Sequence, residues 1–381
     1  MPKLFLLLLV LCLVCEQAVF SQGRRAERRS ERRSGRARKQ KKQRLAVLNP
    51  ASLPLVYRTV WQYLTSDTIR LPAVANAETV YLPLASGAVV ALDAKTGSLK
   101  WELLPAGRIV LPIELTSSLL LVASESGDSK GILRAVDATT GLTTWLAEFN
   151  EALSSMTAIA DRIYVNTGDA KFRALELGTG RHLWSIDVAS AVKAGIVAYD
   201  EFLFFGCESG LLYCLSTDGK LKWTFQARDS IRTAVAVDGE RVYFGDMSGY
   251  VYAVRTNGKL LWQVRTGAAI EARPLLYDNT VYIASYDNFV YALEADSGNR
   301  KWMVNALGRL SYDLVQVADG LIVAPRSSER LYKVSLRGRL SGRFDLERGC
   351  VIAPVSRFGE RLLLVTDEGL QVAEAVPIGK E

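Results

Sequence analysis

An all-β fold, an eight-bladed β-propeller of four-stranded blades, is predicted by three observations. Trp61, Trp101, Trp145, Trp184, Trp223, Trp262 and Trp302 recur at spacings of 40, 44, 39, 39, 39 and 40 residues. The last six follow a glycine by four positions, at Gly97, Gly141, Gly180, Gly219, Gly258 and Gly298. Each interval holds short alternating apolar runs bounded by turn residues, as at 241–245, a tight turn at 246–249, and 250–254. With the run at 233–237 before them and the strand around Trp262 after, these make four strands in a unit of about 40 residues, the pattern of a propeller blade. Period-2 alternation and β-branched and aromatic content exclude a stack of helical hairpins.

The elements precede the repeats in two parts. Residues 4–14 after Lys3 form an apolar run of eleven, where a membrane-spanning helix needs about 20. The run is read as an export signal at 1–21, with Val19 and Ser21 ahead of a cut before Gln22. The competing outcome is lipidation of Cys15, although Cys12, Leu13 and Val14 lack the small residue that such processing prefers just before the cysteine. Residues 22–54 read as a basic disordered tail or linker: from Arg24 to Arg44, nine arginines and three lysines face only Glu27 and Glu31, a net of +10. The chain as a whole is +7, so the propeller at 55–381 is slightly acidic, and no specific nucleic-acid partner is expected. The tail is read either as a tether to an anionic envelope surface or as a solvated linker. Its charge beside an apolar segment opposes translocation, which leaves an uncleaved cytoplasmic orientation as an alternative.

With 381 residues, 49% hydrophobic and 23% charged, the chain has ample material for a core. His182 is the sole histidine, which excludes a multi-histidine zinc centre. Cys207, Cys214 and Cys350 form no C-x-x-C pair and are expected to be buried free thiols. An eighth unit keeps Gly338 but has Gly342 where a tryptophan is due. Because the chain ends before an outer strand in the last unit, residues 56–64 are expected to pair beside 370–376 and close the ring.

The segments Ala91-Leu92-Asp93-Ala94-Lys95-Thr96-Gly97 to Trp101, Ala135-Val136-Asp137-Ala138-Thr139-Thr140-Gly141 to Trp145, and Ala292-Leu293-Glu294-Ala295-Asp296-Ser297-Gly298 to Trp302 resemble the pyrroloquinoline-quinone-like propeller repeat. The resemblance runs from Trp61 to about Ala375 and implies the propeller fold. An exported domain of eight such units is similar to the scaffold subunits of outer-membrane β-barrel assembly, which implies a non-catalytic role with envelope protein partners and no cofactor. The alternatives are a quinoprotein dehydrogenase using pyrroloquinoline quinone and calcium, or a ligand-sensing envelope propeller. Dehydrogenases of this family have a vicinal cysteine pair near the cofactor, which this chain lacks.

The tryptophans are read as structural, each indole packing against the neighbouring blade. Aligning the innermost strands places Arg70, Val110, Ser155, Lys193, Arg232, Glu271, Ser311 and Ile352 at the channel mouth. Arg70, Lys193, Arg232 and Glu271 could bind an anionic ligand or simply pair with other charges. Two irregular loops are read either as partner contacts or as tolerated variation of the repeat: the insertion at 127–131, with Asp128 and Lys130, and the segment 325–330, with Arg326 and Glu329. No residue is assigned a catalytic, cofactor-binding or metal-binding role.

Overall fold

The computed structural model describes residues 53–376, apart from 105–106 and 129; the export signal, Cys12, Cys15 and the basic tail lie outside the described residues. Among the described residues there are strands and turns but no helix. Eight antiparallel sheets follow one another along the chain and form the eight blades of a ring. Blade 5 is typical: Ala236–Val237 is innermost, followed outward by Arg241–Gly245, Tyr250–Arg255 and Leu260–Arg265. The two middle strands of blade 5 are almost wholly buried, as apolar stretches with core on both faces should be. The outer strands alternate between buried and exposed positions.

Sheet surfaces are apolar on both faces, so each blade must pack against two neighbours, and the repeat supplies the same joint each time. The outer strand carries a β-bulge beside the tryptophan: Ala253 pairs with Trp262 and Val254 with Leu260, leaving Leu261 as the extra residue. The indole then lies on the glycine of the following blade's outer turn. A Cβ on Gly298 would stand 2.7 Å from the Trp262 ring, and one on Gly219 would stand 2.7 Å from Trp184. These glycines also have positive φ, 71° at Gly298, so the position demands glycine twice over. The indole N–H donates to a carbonyl in the same turn: Trp262 to Ala295 at 2.9 Å, Trp223 to Thr256 at 2.7 Å, Trp302 to Leu336 at 2.9 Å. A second donor often shares that carbonyl, as Arg361 does with Trp61 at Ala94. The Asp of the repeat shapes the turn: Asp93 accepts the Thr96 and Lys95 N–H groups, and those bonds, with the Thr96 hydroxyl, hold its carboxyl below the usual range.

Two blades depart from the pattern. In blade 2 the innermost strand is split into Arg108–Ile109 and Glu114–Leu115, both pairing with Leu119–Glu125. In blade 8, Ser356–Phe358, Arg361–Thr366 and Gly369–Ala375 are joined by Tyr57–Leu64 from the other end of the described domain, with Tyr57 opposite Ala375 and Leu64 opposite Gly369. Just before that strand, Pro54 and Val56 exchange backbone hydrogen bonds with Arg343 on the outer strand of blade 7. Leu53 is buried in the core shared with blades 6 and 7. The apolar run 351–355 is not a strand as its composition suggests; Val351 makes one isolated bridge to Thr366 and the strand begins at Ser356.

Candidate functional site

Each blade is entered by a linker from the previous outer strand, and the hairpin between its second and third strands folds over that linker. Backbone N–H groups of Ala85, Gly168, Glu208, Met247, Tyr286, Arg326 and Asp367 donate to carbonyls of Thr68, Ala152, Ala191, Ser230, Ala269, Arg309 and Cys350, one pair in each of blades 1 and 3 to 8. The linkers and these hairpins therefore lie at one end of the ring. Both kinds of residue singled out in the sequence fall there. Asp128 and Lys130 are exposed on the hairpin of blade 2, and Arg326 and Glu329 are exposed on the hairpin of blade 7. Ser327 has a positive φ, 52°, one position before the place where Gly87, Gly210 and Gly249 take theirs in regular hairpins.

At the channel mouth the charges of blades 4 and 5 are drawn together by a residue that the repeat pattern does not mark. Glu208, on the blade 4 hairpin, accepts Arg232 Nε at 2.9 Å and Arg232 Nη2 at 2.9 Å, one bond to each carboxylate oxygen. Lys193 Nζ stands 3.6 Å from the same carboxylate. Burial works to raise the Glu208 carboxyl, but the bonds and charges of Arg232 and Lys193 outweigh it and hold it below the usual range. Half-buried Glu271 adds its charge to those that raise Arg232. Arg70 lies apart from this cluster, exposed beside Val110 in a cleft between blades 1 and 2. Ser155 is buried within its strand and Ser311 is half-buried, and neither hydroxyl has a partner among the described residues. Ile352 is half-buried against the blade 8 core.

Two polar groups, one in an inner strand and one just before an inner strand, carry no mark in the repeat pattern. Glu114 occupies the register position that Val74 holds in blade 1 and Thr157 in blade 3, and it accepts the Ala158 N–H at 2.6 Å across to blade 3. Desolvation pushes its carboxyl up to about 7, against the lowering effect of the bonds from Ala158 and Thr157. A carboxylate inside the run Ile113-Glu114-Leu115 was the available signal. Asp313 accepts the Arg273 N–H at 2.7 Å, and Arg273 Nε donates to Val235 O, tying blades 5, 6 and 7 near the axis.

A quinone held with calcium would call for several hard oxygen ligands at one place. Glu208 is committed to two cations, and the described residues contain no group of three His, Cys, Asp or Glu side chains placed to hold a metal ion. Cys207 and Cys214 are buried free thiols, with burial pushing Cys214 up to about 12, whereas Cys350 is only half-buried. What the arrangement offers is a rigid ring whose linker end carries fixed charges and two irregular loops.

Among solved structures, the chain is similar to BamB from Moraxella catarrhalis, with a TM-score of 0.70 at 18% identity, covering 86% of this chain and 99% of that one. It is similar also to the computationally designed Ika8 protein, with a TM-score of 0.72 at 15% identity, covering 84% of this chain and 100% of that one. At these identities the likeness is one of fold. The comparison with curated proteins gave no match. The family model described as outer membrane protein assembly factor BamB matches at residues 36–114, 106–213, 169–254 and 208–348, which together span most of the repeats. The chain belongs to that family.

Proposed function

We propose that the chain is a non-catalytic scaffold of the cell envelope, presenting the linker end of its ring to partner proteins in the assembly of outer-membrane β-barrels. The observation that carries the reading is the clustering at that end of the insertion loop of blade 2, the glycine-free hairpin of blade 7 and the fixed Lys193–Glu208–Arg232 group. Family membership supplies the kind of assembly. Rigid loops present contact groups without a large ordering cost on binding. The export signal at 1–21 would deliver the propeller to the periplasm, and the +10 tail would add an electrostatic hold on an anionic surface. The test is capture of partners from envelope membranes by the full chain and by a variant carrying Asp128→Lys, Lys130→Glu, Arg326→Glu and Glu329→Lys. Loss of β-barrel assembly proteins with the variant supports the reading; identical capture by both sinks it. The quinoprotein alternative predicts substrate-dependent dye reduction after addition of the quinone and calcium.

A further inference from the structure

Blades 1 and 2 meet differently from blades 4 to 6. The linker into blade 5 bonds back to the preceding blade, Ile231 N–H to Cys207 O at 3.1 Å, and the linker into blade 6 does the same, Ile270 N–H to Asp246 O at 3.1 Å. The linker into blade 2 is turned onto its own blade instead. Arg108 and Ile109 pair with Glu125 and Ser124, and Val110 N–H donates to Ala123 O. Gly107 permits the turn: its φ is +96°, and a Cβ there would stand 2.3 Å from Glu125 O. Among the described residues the linker makes no backbone bond to blade 1.

The consequence is a cleft of about 460 Å³ between the two blades, with Leu71, Pro83, Leu84, Ile109 and Val110 among its walls. Two guanidinium groups border it. Arg108 is already paired with Glu125 at 2.9 Å. Arg70 is exposed and has no hydrogen bond or ion pair among the described residues. An apolar cleft with one uncommitted planar cation at its edge selects a ligand that carries an apolar group and a carboxylate a few bonds apart.

We propose that this cleft binds the carboxyl end of a polypeptide whose last residue is large and apolar. The side chain would occupy the space between Leu71, Leu84, Ile109 and Val110, and the terminal carboxylate would take the paired donors of Arg70. The volume lies within the ~300–1,000 Å³ of small-ligand sites, enough for one large side chain with its carboxylate. A long acyl chain would leave much of its length in water. The cleft opens where the linkers run, so the rest of a bound peptide has a free exit. The site stands on the cleft itself and not on the scaffold reading.

The experiment is calorimetric titration of the purified full chain with acetyl-Gly-Ser-Phe as the free acid, as its carboxyl-terminal amide, and with decanoate. The free acid binds, the amide binds roughly tenfold or more weakly, and Arg70→Gln weakens the acid by a similar factor while leaving the melting temperature unchanged. Arg309→Gln, at an exposed linker position of blade 7, leaves binding as it was. High salt weakens the acid, because its exposed ion pair is screened. Equal binding of acid and amide, unaltered binding by Arg70→Gln, or no binding of the acid at millimolar concentration overturns the site. Decanoate binding tighter than the peptide overturns the assignment to a polypeptide end.

Discussion

Between blades 6 and 7, Trp302 lies on Gly338, where a Cβ would come within 2.5 Å of the indole, and its N–H reaches Leu336 O. Between blades 7 and 8 the corresponding outer-strand residue is Gly342, and Val56 fills the space over it, 2.3 Å from where a Cβ would stand. Connectivity explains the difference. Each tryptophan stacks on the turn that joins the third and fourth strands of the next blade. In blade 8 those strands are Gly369–Ala375 and Tyr57–Leu64, from opposite ends of the domain, so there is no such turn to stack on. The missing eighth tryptophan therefore goes with a blade whose third and fourth strands are not joined by a turn, and Val56 stands where the indole would lie. The joint uses backbone pairing where the others use an indole.

The most severe way to break the comparison is to remove the joint. Deleting residues 53–64 takes away seven paired positions along Gly369–Ala375, the two-way bonding of Pro54 and Val56 to Arg343, and the packing of Trp61 on Gly97. It exposes an unpaired edge on each side of the gap. The expected outcome is loss of a single cooperative thermal transition in calorimetry. A melting temperature equal to that of the full chain would show that the first strand does not hold the ring shut.

The two glycines can be set against each other directly. Gly338→Ala forces a Cβ into the Trp302 ring at a φ of +75°, combining overpacking with backbone strain, and should cost about 2–4 kcal/mol in urea unfolding. Gly342→Ala meets only Val56 and has no positive φ, so it should cost about 1–3 kcal/mol. Val56→Ala made in the same chain should recover part of that cost, whereas it should do nothing for Gly338→Ala. A Gly342→Ala cost that is independent of residue 56 would refute the account of this joint.

How much of this could be read in advance depends on what repeats. The tryptophan and glycine spacing was legible because every blade must meet an identical neighbour, and the apolar runs at 241–245 and 250–254 were legible because their strands are buried on both faces. Apolar composition misplaced the inner strands: 233–235 belongs to a linker and its strand begins at Ala236, while 351–355 reaches its neighbour only through Val351 and Ile352 and its strand begins at Ser356. The channel-mouth cations could be placed by alignment, but their partner could not. Glu208 sits on a hairpin whose counterparts carry Ala85, Met247 and Tyr286, so no periodicity announces it.

Blades 2 and 3 offer a third kind of junction, one that should respond to pH. The Glu114 carboxyl is raised from 4.5 to about 7, chiefly by desolvation, so the folded chain holds this proton more tightly than the unfolded chain does. The stability linked to it is fully present below pH 4.5 and is lost as pH rises through about 7, a change of up to about 3 kcal/mol. The melting temperature should fall between pH 5 and pH 8, and Glu114→Gln should flatten that fall. Parallel profiles for the two chains would remove Glu114 as its source.

The finest contrast lies within the tryptophan joints themselves. Trp302 donates to Leu336 O at 2.9 Å, but the Trp101 indole N–H is buried without an acceptor among the described residues, and Tyr81 OH donates to the Ala138 carbonyl of the turn at 2.9 Å. Replacement by phenylalanine keeps an aromatic face over the glycine in both cases. At Trp302 it also strands the Leu336 carbonyl, whereas at Trp101 it removes a polar group that has no partner. Trp302→Phe should therefore be more destabilising than Trp101→Phe by about 1 kcal/mol in urea unfolding. Tyr81→Phe sharpens the test: it frees the Ala138 carbonyl for the indole, so in that background Trp101→Phe should cost more than it does in the parent chain. Equal costs at Trp101 and Trp302, unchanged by Tyr81→Phe, would mean that the indole bonds add nothing to what ring packing already supplies.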